Sequence, residues 1–95
     1  MERPVPHFVY IVRCKDGTLY TGYAKDPQAR LERHNSGKGA KYTSGRRPVA
    51  LVFIQKFRSL SRALKREHEL KQWTRAKKEA LVYRASSATS ASRNS

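Results

Sequence analysis

Between residues 8 and 23 the chain reads Phe-Val-Tyr-Ile-Val-Arg-Cys-Lys-Asp-Gly-Thr-Leu-Tyr-Thr-Gly-Tyr, two β-branched and aromatic runs separated by Asp16-Gly17. This pattern predicts an antiparallel β-hairpin. The length of its loop decides which side chains share a face. A two-residue loop, Asp16-Gly17, pairs Cys14 with Leu19 and sends Tyr10 and Tyr20 to opposite faces. A three-residue loop, Lys15-Asp16-Gly17 with a left-handed Gly17, pairs Val12 with Tyr20, so that Tyr10, Val12 and Tyr20 point the same way. Sheet packing alone accounts for a tyrosine in a strand; two converging on one face argue for a site.

The remaining elements follow from local signals. Asp26-Pro27 starts a short helix, Asp as N-cap and Pro in the first turn, which stops at Asn35-Ser36-Gly37. Residues 37–48 form a Gly-rich basic loop without the residue order of a nucleotide-binding P-loop. The apolar run Val49 to Ile54 predicts a strand buried on both faces at the centre of the sheet. Ser59 to Trp73 has helical spacing with Ser59 or Ser61 as its cap, and Thr74 caps a last helix through about Tyr83. The element order is β-β-α-β-α-α, with residues 1–84 as a single domain. Residues 85–95 carry too few apolar groups to offset ordering entropy and are expected to be a disordered tail.

Charge narrows the function. The 95 residues hold 21 Lys and Arg against 7 Asp and Glu, a net charge of +14, with only 38% hydrophobic residues. Such a surplus favours a polyanionic partner, because Lys and Arg neutralise phosphates and release counterions. One cysteine, Cys14, excludes an intrachain disulfide and a cysteine-based zinc site. No stretch reaches the ~20 apolar residues of a membrane span, and the start lacks a signal-peptide layout, so a cytoplasmic location is expected. Membrane-surface binding through the basic helix at 61–78 is disfavoured, since its apolar stripe is needed for the core.

Glu67 does not fit a simple basic binder. On a helical wheel with Leu60 at zero, the stripe of Leu60, Ala63, Leu64 and Leu70 centres near about −25°, and Glu67 falls at about −20°. An unpaired buried carboxylate costs several kcal/mol, so Glu67 must meet a cation, a metal or a set of donors. An ion pair with one of the arginines and a metal site both satisfy that requirement. Arg30 and His34, four residues apart, share a face of the first helix. They suit phosphate binding and proton transfer, or form an ordinary solvated basic face. His7 and His68 have no such partner.

These residues together resemble the GIY-YIG nuclease domain, and in particular its small stand-alone bacterial members, over about residues 8–83. Phe8-Val9-Tyr10 stands where Gly-Ile-Tyr is expected and Tyr20-Thr21-Gly22 where Tyr-Ile-Gly is expected, followed by Arg30 and Glu67 in the family's order. The resemblance implies an α/β domain of the α+β sandwich type, a three-stranded antiparallel sheet flanked by three helices. It also implies hydrolysis of phosphodiester bonds in DNA with one divalent metal, Mg²⁺ or Mn²⁺, in the setting of DNA repair or recombination. By the same resemblance Glu67 holds the metal, and Tyr10 acts as or helps form the general base. Arg30 neutralises phosphoryl charge, Tyr20 positions the water or phosphate, and His34 assists proton transfer. A tyrosine needs nearby positive charge to serve as a base, and Arg30, the metal and the basic background are its expected sources.

Two motif positions depart from the family, Phe8 for Gly and Thr21 for Ile. The Asn that several members carry after the metal-binding Glu is absent from Thr74 to Tyr83, so its role is vacant or falls to Lys77 or Lys78. Lys38, Lys41 and Tyr42 in the basic loop are candidates to grip the nucleic-acid backbone or stack on a base, or belong to a solvated loop. Low sequence specificity is expected, because no further reader of base edges is present; a protein partner is a candidate source of specificity. The alternative is a non-catalytic DNA- or RNA-binding module of the same fold.

Overall fold

A computed structural model describes residues 5–94, with side-chain surroundings over 5–86. The hairpin forms with β1 at His7–Arg13 and β2 at Leu19–Ala24. Its loop has three residues: Val12 lies opposite Tyr20, Gly17 takes a φ of 87°, and the Cys14 N–H donates to the Thr18 carbonyl at 2.8 Å. Asp16 braces the loop by accepting from the Thr18 N–H and hydroxyl. Consequently Tyr10, Val12, Cys14, Tyr20, Gly22 and Ala24 face one side, and Val9, Ile11, Leu19, Thr21 and Tyr23 face the other.

Helix α1 (Pro27–Asn35) starts as expected, the Asp26 carboxylate accepting from the Ala29 N–H at 3.1 Å. The basic loop contains a short helix, α2 (Lys41–Ser44), a fourth helix that no periodicity announced. Strand β3 (Ala50–Phe57) follows, and the fully antiparallel sheet has the order β2-β1-β3. The expectation that the 49–54 run is the central strand is therefore corrected: β1 is central and β3 is an edge, with Ile54 45% exposed. The run is continuous for another reason. A register shift opposite Ile11 and Val12 lets the consecutive Val52 and Phe53 join the same cluster, while Leu51 joins the other.

Helix α3 (Leu60–Lys71) is capped by Ser59, and α4 (Arg75–Asn94) by Thr74, whose hydroxyl accepts from the Lys77 N–H. The α4 helix runs past Tyr83, where the sequence places its end; Val82 is its last buried residue among those with described side chains. The face of α3 that packs on the sheet is centred on Ala63 and Leu70, whereas Leu60 and Leu64 are 46% and 42% exposed. The expected stripe is thus rotated away from those two leucines, and Glu67 sits at its rim rather than its middle. Two cores result. Val9, Ile11, Ala63, Leu70 and Val82 fill one face of the sheet; Tyr10, Val12, Cys14, Ala24 and Val49, with Leu31 of α1, fill the other.

Candidate active site

The α1 face carries a chain of hydrogen bonds that begins on β1. Tyr10 lies opposite Gly22, and a Cβ at Gly22 would collide with the Tyr10 hydroxyl and Cζ. Only glycine leaves the phenol room to extend across β2, the open edge of the sheet. Its hydroxyl lies 2.9 Å from His34 Nε2, and His34 Nδ1 lies 2.8 Å from the Thr43 hydroxyl. The Thr43 hydroxyl is itself 2.9 Å from the Ala40 carbonyl, an acceptor only. The direction of the chain follows: Thr43 donates to Ala40, so its oxygen accepts from Nδ1–H, and the bare Nε2 accepts from Tyr10. Tyr10, His34 and Thr43 are each at most 2% exposed.

Aromatic rings surround this chain. Tyr20 meets His34 edge-on at 5.5 Å and stacks on Tyr42 at 5.7 Å, and the Arg46 guanidinium lies over the Tyr42 ring at 4.1 Å. Arg46 is held in turn by Asp16 of the hairpin loop at 3.1 Å and by the Tyr42 carbonyl at 2.8 Å.

Arg30 and Glu67 join through their charges. Burial, followed by the Arg30 charge, holds His34 below the ordinary histidine value, so the imidazole is neutral near pH 7. Burial first, then Tyr20, with a smaller contribution from Glu67, pushes Tyr10 up to about 12. Arg30 pulls the other way and is outweighed. Of the expected positive charges, Arg30 by itself does not bring Tyr10 within reach of neutral pH, and the phenol keeps its proton. Glu67 belongs to α3, across the sheet, yet its charge contributes at Tyr10. The Glu67 side chain is 19% exposed, with Lys71 Nζ 3.2 Å from its carboxylate. The cation beside it is thus a lysine one helical turn on rather than an arginine, a pairing that i,i+4 spacing makes legible in the sequence.

The remaining expected residues are dispersed. Lys78 is held below the usual lysine value by burial and then by the charge of Lys71. Lys77 lies 4.2 Å over the Trp73 ring, on the apolar side. Lys38 and Lys41 are exposed along the loop. Two residues of the arrangement escaped the sequence reading, Thr43 and Gly39, where a Cβ would strike the His34 ring and Cα. The close run of Gly37, Gly39 and Gly45 was their only signal.

The GIY-YIG catalytic domain model matches residues 6–80. The chain belongs to the GIY-YIG catalytic domain family. A UPF0213 protein of Staphylococcus aureus is 62% identical over 76 residues, covering 80% of this chain and 93% of that protein. The solution NMR structure of a UPF0213 protein from Bacillus halodurans is similar at a TM-score of 0.55 and 51% identity, covering 82% of this chain and 83% of that one. A second NMR structure, of a protein from E. faecalis, gives a TM-score of 0.59 at 44% identity, covering 87% and 88%. The relatives are thus small bacterial proteins. In this GIY-YIG domain Phe8 and Thr21 replace motif residues without disturbing Tyr10, Tyr20 or Gly22. No described helix is long and apolar enough to cross a membrane.

Proposed function

We propose that this GIY-YIG domain is a metal-dependent endonuclease that hydrolyses phosphodiester bonds in DNA with low sequence specificity, working in the cytoplasm with residues 1–84 as its functional unit. The observation that carries the reading is the buried Tyr10–His34 hydrogen bond, in which a neutral imidazole is poised to accept the phenolic proton. A tyrosine pushed up to about 12 is a poor free base, but it need not be one. As Tyr10 takes a proton from the attacking water, it passes its own to His34 Nε2, and no free phenolate accumulates. Arg30 neutralises the phosphoryl oxygens as charge grows on them, and Tyr20, fixed between His34 and Tyr42, positions the water or phosphate.

No group of three or more His, Cys, Asp or Glu side chains that could hold a metal occurs among the described residues. The donor set nevertheless fits Mg²⁺ or Mn²⁺, which bind through one or two carboxylates and otherwise keep waters and substrate phosphate. Glu67 is the residue to hold it, with Lys71 displaced toward solvent. A bound divalent ion would supply Lewis-acid stabilisation of the leaving oxygen. Lys38 and Lys41 extend the basic surface along the DNA backbone.

The Lys71–Glu67 ion pair also suits a second reading, a nucleic-acid-binding module in which the carboxylate is purely structural. Incubation with supercoiled, branched and single-stranded DNA, with and without Mg²⁺ or Mn²⁺, separates the two. The nuclease reading expects metal-dependent nicking that Glu67→Ala removes while DNA binding survives. Binding without cleavage on every substrate selects the module, and unchanged cleavage by Glu67→Ala defeats the metal role.

A further inference from the structure

The Gly37–Gly45 loop looks from its charge like a surface for gripping nucleic acid, but its buried contacts turn inward. Gly39 presses its backbone against the His34 ring so closely that no other residue fits. Tyr42 holds Tyr20. Thr43, fully buried, offers one hydroxyl to two neighbours, His34 Nδ1 and the Ala40 carbonyl. The backbone N–H groups of Thr43 and Ser44 also point at that carbonyl, at 3.1 and 3.2 Å, so the first turn of α2 fixes the acceptor in place.

We propose that Thr43 is a positioning residue that sets the tautomer of His34, keeping the proton on Nδ1 and leaving Nε2 bare toward the Tyr10 hydroxyl. This rests on the hydrolytic reading of the Tyr10–His34 pair. The logic is one of donor direction. The Ala40 carbonyl can only accept, so the Thr43 proton goes to it, and the same oxygen can then only accept from His34. The opposite tautomer would place a proton on Nε2 facing Tyr10, turn the phenol into an acceptor and close the route by which its proton leaves. An imidazole in the wrong tautomer fails as a base however well it is placed. The balance is simple: in the forward step the Tyr10 O–H bond breaks, an Nε2–H bond forms, and Tyr10 regains a proton from water. The resulting imidazolium retains its Nδ1–H···O bond to Thr43.

Long-range ¹H–¹⁵N correlation spectra of the His34 ring near neutral pH test this in the whole protein, without DNA. The wild type is expected to show protonated Nδ1 and bare Nε2. Thr43→Val, close in shape but without the acceptor, is expected to move the proton to Nε2, and Thr43→Ser to restore the original pattern. On a cleaved DNA substrate, Thr43→Val should lower kcat at least about 10-fold with KM unchanged, and Thr43→Ser should recover most of it. A wild-type spectrum with the proton on Nε2 overturns the proposal, and so does a folded Thr43→Val that keeps it on Nδ1. Should Thr43→Val fail to give a folded amide spectrum, the wild type and Thr43→Ser still decide, because a wild-type proton on Nε2 is fatal by itself. If the tautomer behaves as expected but the wild type cleaves no DNA, the nuclease reading fails while the role of Thr43 stands.

Discussion

The two faces of the sheet are built from the same strands and solve different problems. Toward α3, the alternating residues Val9 and Ile11 meet Ala63, Leu70 and Val82, an apolar core whose stability follows the area it removes from water. Toward α1, the positions between them place Tyr10 against His34 and, through it, Thr43, three buried polar side chains joined end to end. Burying such groups is tolerable only when each is satisfied, so this second core has one acceptable arrangement and few substitutes. Period-two alternation thus divides the hairpin into a face that holds the fold together and a face that orients reactive groups. The bidentate Arg13–Glu79 contact, at 2.7 and 2.8 Å, ties the hairpin to α4, away from the tyrosines.

The strongest way to break the comparison is to empty the apolar face. Leu70 is fully buried, and Leu70→Ala should lower the unfolding free energy by about 2–5 kcal/mol, the range for truncating a core leucine. Leu64→Ala, on the same helix at a position 42% exposed, should change it by less than about 0.5 kcal/mol. Urea unfolding of both variants checks the pair. Equal losses would mean that α3 packs through the Leu60–Leu64 stripe after all, and that Glu67 lies in its centre.

An intermediate effect should appear on the polar face as pH falls. Burial and then Arg30 hold folded His34 below its ordinary value, whereas the unfolded chain binds a proton near about 6.5. Between those two values the unfolded state holds more protons, so stability declines as pH drops below about 6.5 and levels off below the folded value. Urea midpoints measured through this interval should fall for the wild type and show a shallower slope in His34→Gln. Protonation of the folded imidazole blocks Nε2, so any cleavage should persist through most of that interval and decline only as pH falls through the lower, folded value. A slope that His34→Gln leaves intact would assign the effect to another group.

What could be read in advance follows the same division. Strand alternation and the three-residue loop were enough to bring Tyr10, Val12 and Tyr20 together, because register is a local property once the turn is known. The capping residues Asp26 and Thr74 were legible for the same reason, and Ser59 was one of two candidates with Ser61. The order of the strands was not, since a continuous apolar run reports burial without saying which neighbour supplies it, and the bulge opposite Val12 imitates a doubly buried strand. Leu60 and Leu64 misled in the opposite sense: an apolar stripe names a helix face, but packing selected the narrower strip of Ala63 and Leu70. Thr43 and Gly39 lay beyond any periodic argument. Their contacts come from a loop folding back on α1, and composition showed only that the loop was basic.

The smallest expected effect probes the one position where the apolar face departs from its own rule. Thr21 stands where the family motif has Ile and is 2% exposed; its hydroxyl is the buried side-chain polar atom left without a hydrogen-bond partner among the described residues. Facing α3 rather than α1, it has no Tyr10–His34 chain to join, and an orphaned buried hydroxyl costs free energy. Thr21→Val removes the hydroxyl at nearly constant shape and should therefore raise the unfolding free energy by about 1 kcal/mol, read from the urea midpoint at unchanged m-value. The contrast with Thr43 is direct, because there the same substitution removes a hydroxyl with two partners and should destabilise. If Thr21→Val instead weakens the fold, its hydroxyl has a partner, the α3 face is less purely apolar than its neighbours suggest, and the separation between the two faces loses its cleanest case.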